Sequence, residues 1–71
     1  MEHTIEHSYG RTRTFPTASD ACEAILAEYG YDTLFREGDR RTTVWACEAD
    51  AEGDDGSNAV ATITPPLRPK H

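Results

Sequence analysis

Residues 17–31, TASDACEAILAEYGY, decide the fold. Thr17 is a good N-cap, with Asp20 three positions on as its capping-box-like partner and Pro16 just before it. Ala18, Ala21, Cys22, Ile25, Leu26 and Tyr29 then recur at steps of three, one, three, one and three, which is one face of a helix. Asp20, Glu23 and Glu28 fall on the other side. Gly30 follows the last apolar position, where a C-terminal cap wants a residue free to adopt positive φ. The pattern predicts a helix over 18–29 with one apolar face, and such a face must be buried against something.

Working outward, the flanks supply strands. Toward the N-terminus, Thr4 to Phe15 is rich in Thr, Ile, Tyr and Phe, which favours a strand, with Tyr9-Gly10 as a bulge or turn inside it. Toward the C-terminus, Tyr31 to Glu37 reads as a strand, Gly38-Asp39 as a two-residue type II′ turn, and Arg40 to Ala49 as the returning strand. That turn would set Phe35 opposite Thr42 and Leu34 opposite Thr43. One face would carry Leu34, Trp45 and Cys47, the other Phe35, Val44 and Ala46. Trp45 is the largest apolar surface, so its face is expected to meet the helix. Asp50 to Ser57 is a polar connection and Asn58 to Thr64 a last strand. Pro65 to His71 holds three prolines in seven residues and is expected to be an extended or disordered tail. The expected architecture is α+β: one domain over 1–64, with a small antiparallel sheet of three to four strands, one helix on one face, and the order β-α-β-β-β.

Thirteen acidic and seven basic side chains give a formal charge of −6, which argues against direct nucleic-acid binding and favours basic partners. The absence of a long apolar run or a secretory leader leads to the expectation of a cytoplasmic protein in which Cys22 and Cys47 are reduced. Cys22 is expected on the buried helix face and Cys47 on the sheet face beneath it. Both read as buried free thiols, because no mid-chain histidine supplies a base for a nucleophile. His3 and His7 lie four residues apart on a strand, a span of roughly 13 Å, so they do not converge on a metal and read as solvated side chains. GxSxG, P-loop and GxGxxG patterns are absent, so no catalytic, metal or cofactor site is expected.

The unusual feature is acidic. Glu48, Asp50, Glu52, Asp54 and Asp55 place five negative charges in eight residues with no base among them. A solvated loop is the plain interpretation. Carboxylates spaced two apart on a strand edge could also imitate a row of phosphates and attract an Arg/Lys groove. Arg36, Arg40 and Arg41 form a counter-patch at the Gly38 hairpin, either paired with nearby acids or offering a local basic contact.

Size, acidity, the lack of an enzyme motif and the strand–helix–strands layout around TASDACEAILAEYGY resemble small inhibitors encoded by phages and mobile elements, the anti-CRISPR proteins among them. The resemblance implies a non-enzymatic protein, active in the host cytoplasm, that contacts the basic nucleic-acid groove of a CRISPR effector subunit and blocks target DNA loading or nuclease action. The alternative is a host regulatory or adaptor domain that binds a protein or RNA.

Overall fold

The computed structural model describes residues 1–67. Its elements run β1 (His3–His7), β2 (Thr12–Phe15), α1 (Ala18–Tyr29), β3 (Leu34–Glu37), β4 (Thr42–Trp45), α2 (Glu48–Ala51) and β5 (Ala61–Thr64). The strands form one antiparallel sheet of five in the order β2-β1-β5-β4-β3. The α+β class holds, but the sheet has five strands, a second short helix is present, and the chain order differs from β-α-β-β-β.

Helix α1 spans the expected residues. The Thr17 hydroxyl accepts from the Asp20 amide at 3.1 Å. Gly30 ends the helix at φ 93°, and its amide donates to the Leu26 carbonyl at 2.8 Å. Ala21 and Ile25 are fully buried on the inner face. Burying a side chain the size of Ile25 contributes about 1.5–3 kcal/mol.

The extra strand comes from the first segment, which is a hairpin. The chain turns at Ser8–Gly10, with Gly10 at φ 98° and its amide bonded to the His7 carbonyl at 2.9 Å. Ile5 then pairs with Arg13, and Thr4 with Thr14. The second hairpin is wider than a II′ turn. Glu37 pairs with Thr42, Gly38 donates to the Arg41 carbonyl at 2.8 Å, and Gly38 does not adopt the positive φ that II′ requires. Phe35 therefore sits opposite Val44 and Leu34 opposite Trp45. The register moves by two residues, an even shift, so each side chain keeps its face.

The face that meets α1 is the one carrying Val44 and Phe35. Ile5, Ala21, Ile25, Val44, Ala61 and Ile63 form the core, with Phe35, Tyr29 and Leu67 around it. Trp45 is buried on the opposite face, because β4 ends there and the chain folds back as α2 and the loop to residue 58. The reason is geometric: neighbouring residues on a strand face opposite ways, so Val44 and Trp45 cannot share a core. Elsewhere that second face is mostly hydroxylic, with Glu6 paired to Thr12 and Thr62 in its middle. Thr4 pairs with Thr14 and Thr64, and Thr43 pairs with Thr62.

Residues 65–67 lie back on the sheet. His3 Nδ1 is 2.8 Å from the Pro65 carbonyl, Pro66 is buried, and the Leu67 amide donates to the buried Thr42 hydroxyl at 2.9 Å. The rest of the expected tail, 68–71, lies outside the described residues.

Candidate functional site

The acidic segment is built from α2 and the loop after it, and both are organised by Trp45. Strand β4 delivers the indole to the face away from α1, where α2 lies against β4. The indole nitrogen donates to Asp54 Oδ2 at 2.8 Å. The same oxygen accepts the amides of Gly56 and Asn58, both at 3.0 Å. These three donors, the indole foremost, hold the Asp54 carboxyl below the usual carboxylate range. Asp55 Oδ1 accepts from the Ser57 amide at 3.1 Å and hydroxyl at 2.6 Å, and its carboxyl is lowered by those bonds. The loop bends through Gly53 at φ 69° and Gly56 at φ 116°, conformations that residues with a Cβ adopt poorly.

Arg36 closes the other side of the indole. Its guanidinium lies 4.6 Å from the Trp45 ring centroid and donates to the Asp54 carbonyl at 3.3 Å and the Ala51 carbonyl at 3.5 Å. The cation–π contact and the carbonyl bonds make Arg36 part of the scaffold.

The proposed charge row thus divides. Glu48, Asp50 and Glu52 are exposed, and Asp55 is exposed while tied into the loop. Asp54 is half-buried and structural. A strand-edge spacing of two does not exist here, because 48–51 is helical. At about 100° per residue, Glu48 and Glu52 project together while Asp50 projects nearly opposite. Glu48 and Glu52 flank a shallow recess with Leu34, Arg36 and Ala51. Arg40 and Arg41 are exposed at the β3–β4 hairpin, where they border one recess together with Arg36 and Thr43. Arg41 borders a depression on the hydroxylic face with Thr43, Thr62, Asp55 and Ser57.

Sequence reasoning missed a second cluster. His3 and His7 are not solvated: both are buried on the α1 side of β1, flanking Ile5. Strict alternation at His3, Ile5 and His7 was the available signal, and treating histidine as polar hid it. His7 meets Tyr9, Glu28 and Tyr29. Tyr9 donates to Glu28 Oε2 at 2.8 Å, a bond that lowers the Glu28 carboxyl and raises the Tyr9 phenol. Burial, aided by Glu28, pushes the Tyr29 phenol up as well.

Both cysteines are free and only half-buried, Cys22 in a groove with Ala18, Phe35 and Leu67, and Cys47 at the start of α2. Among the described residues, no three His, Cys, Asp or Glu side chains are grouped to hold a metal ion, and no helix is long and apolar enough to cross a membrane. No protein-family model, curated protein or solved structure matches the chain.

Proposed function

We propose that this domain works by binding another macromolecule, without chemistry of its own, and that α2 with the 52–58 loop is the surface it presents to a basic partner. One observation carries the proposal. Glu48, Asp50, Glu52 and Asp55 stand exposed on a segment that Asp54 pins with bonds from Trp45, Gly56 and Asn58. A pinned segment loses little further freedom on docking, so its charge is available at low entropic cost. A net charge of −6 adds long-range attraction to an Arg/Lys groove. A stoichiometric inhibitor seated in the nucleic-acid groove of a CRISPR effector is the specific case, working in the host cytoplasm. A second reading, an adaptor that binds protein or RNA, draws on Arg41 beside Thr43 and Thr62 on the uncovered sheet face.

The test is binding of the immobilised domain to a purified CRISPR effector complex, with and without guide RNA and target DNA. Inhibition by groove occupancy predicts a one-to-one complex that target DNA displaces and that the E48Q/D50N/E52Q variant weakens roughly tenfold. Binding unaffected by that variant and lost in R41A moves the surface to the sheet face. No binding to effectors, with turnover of a substrate by the pure domain, rejects the proposal.

A further inference from the structure

His7 is buried at the end of β1, where three ionisable side chains meet its ring. From α1 it faces Tyr29, whose hydroxyl lies 2.7 Å from Nδ1, and Glu28, whose Oε2 lies 3.5 Å from the same nitrogen. From the β1–β2 turn the Tyr9 ring stacks on the imidazole, with centroids 4.9 Å apart and planes 17° from parallel. Arg11, just before β2, acts on Glu28 and Tyr9. From β5 it faces Ala61, which is uncharged.

The Tyr29 hydroxyl has a second option. It is 3.4 Å from the Val60 carbonyl, which also accepts the Ser8 amide at 2.9 Å and has a lone pair to spare. With His7 neutral, Tyr29 donates to Nδ1. With His7 cationic, Nδ1–H must donate, so Tyr29 becomes the acceptor and its own hydrogen turns to Val60. In both states Nδ1 and the Tyr29 hydroxyl stay bonded to each other, and in the second the buried charge faces the Glu28 carboxylate, which offsets its desolvation.

We propose that His7, Glu28 and Tyr29 form a proton-responsive latch: a proton taken up on His7 Nδ1 reverses the His7–Tyr29 bond, sends the Tyr29 hydroxyl onto Val60, and clamps the end of α1 to the β1–β2 turn and the strand-entry residue Val60. The clamp tightens because a neutral hydrogen bond becomes charge-assisted. It is lost again where Glu28, held low by the Tyr9 bond, is itself protonated and the counter-ion disappears.

The experiment is nuclear magnetic resonance on the full chain from about pH 8 to 5, following the His7 ring nitrogens and the exchange of the Ser8 and Gly30 amides. In the wild type, Nδ1 changes from acceptor to donor with the native spectrum intact. Protection at Ser8 and Gly30, corrected for intrinsic exchange, rises about fivefold as the ring is protonated. In E28Q, which keeps an acceptor for Tyr9, that rise is absent. Y29F keeps Glu28 but removes the relay, so Ser8 loses the response. A ring that stays in one state until the chain unfolds, a native spectrum that collapses on protonation, or an E28Q response equal to wild type overturns the latch.

Discussion

The Trp45 indole and the Asp54 carboxylate, nine residues apart and 2.8 Å from each other, tie the last strand residue before α2 to the loop that follows it. Because this bond, with two backbone amides, holds Asp54 below its ordinary range, the stability it adds is fully present at neutral pH and down to the unfolded-state value of about 3.9. It is lost progressively as pH falls from there to the lowered folded value. Trp45 is the sole tryptophan, so its emission reports the change directly. The expected outcome is a flat signal from pH 7 to about 4 and a transition below that, absent in D54N. D54A should lower Tm more than D50A, since Asp50 is exposed. Equal shifts would show that the indole bond organises nothing.

Ile25 and Leu26 test the core. Ile25 is fully buried and Leu26 only half-buried. Ile25→Ala should cost about 2–5 kcal/mol in urea unfolding, a large share of the stability of so small a domain. Leu26→Ala should cost clearly less. The reverse order would place the helix face wrongly.

What the sequence makes legible follows from how local each signal is. Helix α1 is written in a cap, a repeat and a glycine, all within fifteen residues, and it forms as read. The β1–β2 hairpin was obscured because His3 and His7 occupy inward positions that the pattern assigns to apolar residues. The short α2 has four residues, too few for periodicity, and its acids suggested a strand edge or loop. The size of Trp45 points to the main core, yet its face is the one that α1 leaves uncovered. Its burial instead depends on α2 and Arg36, which no local pattern brings over it. The charges of the candidate site were visible, but which of them are structural was not, since that depends on the Asp54 bonds.

The cysteines give a third prediction. Both are free and half-buried, so neither needs unfolding to react. A thiol reagent should modify both in the native protein, more slowly than in denaturant. The intact mass should be the same with and without reductant. A mass two units lower before reduction would show a disulfide and require Cys22 and Cys47 to approach each other.

The last prediction separates charge from structure on the acidic face. Among the described residues, the side chains of Glu48, Asp50 and Glu52 are in none of the bonds that hold the loop, whereas the Asp54 carboxylate receives three. Neutralising all of the acids together would therefore mix two effects. The informative variants are E48Q/D50N/E52Q and D54N, measured side by side. The triple variant loses only the interaction of Glu48 and Asp50 with the α2 N-terminus, so unfolding free energy should change by about 1 kcal/mol or less. Each exposed carboxylate contributes little to affinity alone, but the group steers encounter. Association with a purified CRISPR effector complex, followed by biosensor, should slow roughly tenfold at low salt. The difference should nearly vanish near 1 M salt, where the screening length falls to about 3 Å. Dissociation should change less than association. D54N should behave in the opposite sense. It removes one charge of the total, so association should shift little, but it frees the loop, so dissociation should quicken and Tm should fall. If the triple variant associates as fast as wild type at low salt, the acids serve solubility. The docking surface then moves to Arg41 and the threonines of the uncovered sheet face.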